Sequence, residues 1–174
     1  MAEEHVQNEF GIDTTVLGEA ENVVGALFDE AAKGKSLPRV VAGTPVEISN
    51  ILNIVGPTIQ GLVEVARGCG RGCDFSNPAL LQLKCRSLTD ILEDVQVNGQ
   101  SGMDTITLHA EDIFRYRVNG IQPDQIAVEG LFKSVCNVEG IQRVYVSHGA
   151  FASVFSAPRL LPNLTEIMNL DKSD

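Results

Sequence analysis

Basic charge is scarce in this sequence. Its 13 lysines and arginines face 23 aspartates and glutamates over 174 residues, a formal net charge of -10. With a sequence pI of about 4.7, such a surface repels phosphate backbones and anionic lipid, so charge argues against nucleic acid and membrane as partners. Long apolar runs are also missing, and none is fit to span a bilayer. The start, Met1-Ala-Glu-Glu-His5, is acidic where a secretory leader is basic. These features predict a cytoplasmic protein whose four cysteines are reduced thiols. In that setting clustered cysteines bind metal or do chemistry more often than they form disulfides.

What is present is a sequence able to build a core. The hydrophobic fraction is 44% and the mean hydropathy +0.06, values of an ordinary globular domain. Residues 14–17 read as a short strand. A helix follows from 22 to 32, with Val23, Val24, Leu27 and Phe28 on one face and Gly34 just past its end. Prolines and glycines then break the pattern, among them Gly43, Pro45, Gly56, Pro57 and Gly61. The expected division is a first piece over 1–40, a linker over 41–61 and a main domain over 62–174. His5 falls in an expected mobile tail.

Beyond Gly61 a unit repeats. Strands are expected over 62–66, 104–109 and 143–148. Ser87-Leu-Thr-Asp90 reads as a capping box. Pro123 suits the first turn of a helix carrying Ala127, Leu131 and Val135, and a third helix is expected to start between 158 and 162. Strand, loop and helix recurring about every 40 residues argue for three successive βα units and a parallel sheet. Right-handed crossovers would bring the strand C-termini to one edge, where ligands bind in such sheets. The first strand leads into a cysteine loop, the second into His109-Ala-Glu111-Asp112 and the third into Ser147-His148. An open sheet of such units would also leave an unpaired edge strand open to self-association.

The cysteine loop, Arg67-Gly-Cys69-Gly-Arg-Gly-Cys73-Asp-Phe-Ser76, suits an iron–sulfur cluster chemically. Soft thiolates match iron, and glycine amides can approach cluster sulfurs closely. Arg67 and Arg71 are expected to offset the cluster's negative charge. Three residues past Cys73, where a third thiolate would serve, the chain has Ser76, whose hydroxyl is harder and far less acidic. Two cysteines four apart can also be plain buried hydrophobes. A zinc site from Cys69, Cys73, Cys85 and a histidine is a lower alternative, since most zinc modules have closely paired cysteines. Cys136 reads as core. His109 and His148 could act as acids or bases, though hydrogen bonding to loops is the commoner fate of such residues. Glu111 and Asp112 read as a solvated pair unless their strand-end position matters. Lys84, Arg86 and Arg71 could bind an anion, with a solvated surface as the default.

The loop resembles the C-x3-C-x2-C signature of radical S-adenosylmethionine (SAM) enzymes, with Phe75 as the aromatic before the last ligand and Ser76 replacing the last cysteine. Asn77-Pro78, the Cys85-Arg86-Ser87-Leu88 helix start, Leu108-His109-Ala-Glu111-Asp112 and Ser147-His148 are similar to the subgroup with an N-terminal cobalamin-binding domain. Thr15-Val-Leu-Gly18-Glu-Ala-Glu21 resembles the last strand and helix of that domain. The resemblance implies an α/β fold: three βα units of a partial (β/α) barrel, preceded by a strand–helix piece of a Rossmann-like domain. It implies a fragment of a longer enzyme, with cobalamin only in that parent. It further implies a 4Fe-4S cluster held by Cys69, Cys73 and, incompletely, Ser76. SAM would contact Phe75, Glu111 and Ser147, and the product would be a 5′-deoxyadenosyl radical. Activity is expected to be impaired at Ser76. The alternative is a non-catalytic βα scaffold that binds a ligand or partner without a cluster.

Overall fold

A computed structural model describes residues 2–71, 82–120 and 122–168. The chain divides into two compact units, Met1–Ile51 and Leu52–Asp174.

The first unit holds α1 (Ala2–Phe10), β1 (Thr15–Leu17), α2 (Glu21–Ala32) and β2 (Val40–Ala42). The strands run parallel, with Thr15 opposite Val40 and Leu17 opposite Ala42. A Cβ at Gly43 would lie 2.0 Å from the Glu19 carbonyl oxygen, so the chain can leave β2 there only with a residue that lacks one. The expected mobile tail is helical: His5 in α1 pairs with Glu9 at 2.9 Å, one turn on. Gln7 is buried and joined by its side chain to the Arg39 carbonyl, while Arg39 Nε donates back to Gln7 Oε1 at 3.1 Å. α2 buries none of its residues, and Phe28 is 72% exposed. This unit is held by polar bonds and strand pairing more than by an apolar core.

The second unit contains a parallel sheet in the order β3 (Leu62–Glu64), β6 (Thr105–His109), β7 (Arg143–Val146). Among the described residues the architecture is mixed α/β with parallel strands and no closed barrel, consistent with a partial βα arrangement. Alternation in β6 sets its two faces. Ile106 and Leu108 are fully buried, whereas Thr105, Thr107 and His109 are half-buried. The buried face lies under α3 (Leu88–Gln100), α4 (Gln125–Cys136) and α6 (Leu160–Met168), which contribute Ile91, Val95, Val128, Leu131, Phe132, Val135 and Leu164 to one cluster. Each such side chain is worth about 1.5–3 kcal/mol of burial. The opposite face carries the row Leu62, Thr107, Tyr145, and Tyr145 is 55% exposed. The outer edge of β7 pairs with no described strand.

Differences from the expected elements have local causes. The strand expected over 62–66 divides. β3 stays in the sheet, whereas β4 (Ala66–Arg67) leaves it and pairs antiparallel with β5 (Lys84–Cys85), Ala66 facing Cys85. Pro123 lies one residue before the N-cap of α4, where Asp124 accepts from Ala127 N at 3.0 Å. Ser87 caps α3 as the box predicts, accepting from Asp90 N at 3.1 Å. A further helix, α5 (Phe151–Ser156), precedes α6.

The segment 53–58, inside the expected linker, is fixed by polar residues of α3. Asp94 and Asn98, one turn apart on its buried face, accept from Ile54 N at 3.0 Å and Thr58 N at 2.9 Å. Arg86 is not on a solvated surface. It is 2% exposed and donates to Asp94 at 2.5 Å, to Asn53 at 2.7 Å and to the Glu64 carbonyl at 3.1 Å. Among the described residues no helix is long and apolar enough to cross a membrane.

Candidate cofactor site

The C-terminal ends of β3, β6 and β7 share one edge, and the loops that leave them carry the candidate residues. The loop after β4 opens with Gly68 at φ 71° and Gly70 at φ 63°, both left-handed, on either side of Cys69. Only glycine adopts that hand without strain, so Cys69 is presented from a tight double reversal. A Cβ on Gly70 would lie 3.3 Å from Leu83 Cβ and 3.6 Å from an Arg115 amine, so the loop's two ends lie close. Cys69 is a free, half-buried thiol. Cys73, Phe75 and Ser76 fall outside the described residues.

Both described arginines of this loop are paired with protein carboxylates. Arg67 grips Glu64 with two hydrogen bonds, at 2.7 and 3.1 Å. Arg71 Nη2 reaches Asp112 Oδ2 at 2.6 Å and Ser153 Oγ at 2.7 Å. The expected charge compensation by these two side chains is therefore already committed to protein carboxylates.

Glu111 and Asp112 are not a solvated pair. Glu111 is exposed at the end of β6, whereas Asp112 is 2% exposed. Its Oδ1 accepts from Ala150 N at 3.1 Å and Phe114 N at 3.3 Å, and its Oδ2 accepts from Ser153 Oγ at 2.8 Å as well as from Arg71. Residues from three strand-end loops meet on one carboxylate. Only the bond to Phe114 had a local signal, since an aspartate directly before the turn Ile113–Arg115 reads as a cap.

The second and third strand ends also meet. His109 Nδ1 and Ser147 Oγ are 3.0 Å apart, and the Ser147 hydroxyl also reaches the Ala110 carbonyl at 3.4 Å. The rings of His109 and exposed His148 stand edge to face at 6.1 Å. Glu64 lies opposite His109 in register. Gly149 is required where it is, since a Cβ there would fall 2.4 Å from the Phe114 ring. The structure thus brings Glu64, His109, Ser147 and His148 to one edge, with Glu111 beside them in sequence.

Cys85 sits at the base of the loop. Its Sγ accepts from Arg117 N at 3.2 Å, and burial pushes its thiol pKa up, away from the thiolate that binds metal. Burial also raises Tyr116, whose hydroxyl donates to the Arg86 carbonyl at 3.3 Å. Cys136, at the end of α4, packs half-buried against the core. Among the described residues no three histidine, cysteine or acidic side chains gather as a metal site. On the donor set alone, thiolates at 69 and 73 suit iron and a hydroxyl at 76 does not.

No protein-family model matches the chain. Over 89 residues, half of its length, it is 28% identical to the ribosomal protein uS12 methylthiotransferase RimO of Dictyoglomus thermophilum. The match covers 20% of that protein. It supports a distant relationship to the radical SAM superfamily.

Proposed function

We propose that the second unit is the cofactor-binding part of a radical SAM domain. Cys69 and Cys73 are thiolate ligands of a 4Fe-4S cluster, Ser76 occupies the position of the third, and Phe75, Glu111 and Ser147 line the SAM site. The observation that carries this reading is the edge itself: parallel strands in sequential order β3-β6-β7 lead into a glycine-flanked Cys69 and a bonded His109–Ser147 pair. The partial similarity to a methylthiotransferase supports the same class. When bound, such a cluster supplies the electron that cleaves SAM to the 5′-deoxyadenosyl radical. This chain's share is to present the thiolates, to orient SAM through Glu111 and Ser147, and to hold the His109 imidazole against the Ser147 hydroxyl. With two soft donors and one hard one, the cluster is weakly held and turnover is impaired.

A second reading, a βα scaffold that binds a ligand without a cluster, is favoured by Ser76 and by the commitment of Arg67 and Arg71 to protein carboxylates. Equilibrium dialysis of SAM before and after anaerobic loading with iron and sulfide separates the two. Binding that appears only after loading is the result expected. Equal binding to iron-free protein would establish the scaffold reading instead.

A further inference from the structure

Asp112 has no part in the chemistry proposed above, yet it is among the most buried charges of the second unit. Its side chain is 1% exposed, and four donors from three segments surround it: Arg71 of the cysteine loop, Phe114 N of its own turn, and Ala150 N and Ser153 Oγ at the start of α5. The pair is one-sided: without Arg71 the buried carboxylate is left with no cation away from water, and without Asp112 the quarter-exposed Arg71 loses the charge that anchors it. Arg71 lies two residues from Cys69, and both Gly68 and Gly70 are held left-handed between the end of β4 and that anchor. Leu83 and Arg115 crowd Gly70 from the far side. The start of the loop is therefore tied down before any cofactor arrives.

We infer that Asp112 is the positioning residue for Cys69. Through Arg71 it fixes the first turn of the cysteine loop to the ends of β6 and β7, so that the placement of the thiol depends on the β7–α5 turn 80 residues away in sequence, about the separation of Arg71 and Ser153. This rests on the proposed role of Cys69 for its purpose but not for its geometry.

The test uses the full chain without iron, with trypsin cleavage after Arg71 and alkylation of each cysteine followed by mass spectrometry. An arginine anchored to a buried carboxylate enters a protease only when the loop opens. In Asp112→Asn, cleavage after Arg71 should quicken about tenfold or more and Cys69 alkylation severalfold, while cleavage after Arg86 and alkylation of Cys136 stay unchanged. Adding Arg71→Gln to Asp112→Asn should return Cys69 alkylation part of the way, since no unpaired cation remains. Unchanged rates at Arg71 and Cys69 in the folded Asp112→Asn chain would overturn the inference. If that variant opens everywhere, with Arg86 and Cys136 also reacting, Ser153→Ala decides. It removes two bonds, the one from Arg71 and the one to Asp112, and it should speed Arg71 cleavage severalfold and selectively. A rate equal to the parent's would overturn the inference. Failure to bind iron would sink the proposed function and leave these rates as expected.

Discussion

The two units of this chain are built on different principles. In Leu52–Asp174 an alternating strand and three amphipathic helices bury a continuous apolar cluster from Val63 to Ile167. In Met1–Ile51 the fully buried side chains among the described residues are Gln7 and Val46, α2 buries nothing, and Gln7, Asn8 and Arg39 tie α1 to the chain before β2. Hydrophobic burial scales with area, whereas an exposed hydrogen bond nets little against water. The second unit therefore carries the stability, and the candidate site sits on the unit able to hold it rigid.

The largest effect that would sharpen this contrast comes from truncating one phenylalanine in each unit. Phe132→Ala should cost about 3–5 kcal/mol by opening a cavity in a fully buried site. Phe28→Ala, at 72% exposure, should stay within about 0.5 kcal/mol. Urea denaturation measures both, and comparable losses would break the comparison. A smaller effect separates two glycines of the same backbone hand. Gly61, at φ 61°, would place a Cβ 2.2 Å from the Thr105 carbonyl oxygen where β3 meets β6. Gly61→Ala should cost about 2–4 kcal/mol through strain and a backbone clash. Gly11, at φ 64°, faces open space, so Gly11→Ala should cost about 1 kcal/mol. Thermal melts of the two variants check the difference.

The smallest effect is a pH dependence from two groups of the second unit. Burial raises the pKa values of Cys85 and Tyr116 above their ordinary values of 9.0 and 10.0. A group raised on folding contributes its stability in full below its ordinary pKa and loses it as pH climbs through the raised one. Stability should fall between neutral pH and the pH at which the thiol and phenol ionise, and Cys85→Ala should flatten the earlier part of that fall. A flat profile in the parent chain would contradict the assignment.

Much of this fold was legible in sequence wherever one face of an element is apolar. The alternation of Thr105–His109, the cap at Ser87 and the spacing of Leu131 and Val135 each led to the observed element. What was not legible depends on distant partners. Asp94, Asn98 and Asp112 carry polar side chains, and nothing within a few residues reveals that Ile54, Thr58 and Arg71 will satisfy them. The departure of β4 from the sheet depends likewise on pairing with Lys84–Cys85 across the loop. The site was legible as a list of strand-end residues, because parallel topology alone brings them to one edge. The commitment of Arg71 was not, because its partner Asp112 reads as solvated charge.

The central proposal is that Cys69 and Cys73 hold iron, and its most direct test is the metal content of protein loaded anaerobically and then desalted. The unaltered chain should retain iron and labile sulfide in equal but less than full amounts, Ser76→Cys should retain more, and Cys69→Ala should retain none. Retention by Cys69→Ala equal to that of the unaltered chain would contradict the account.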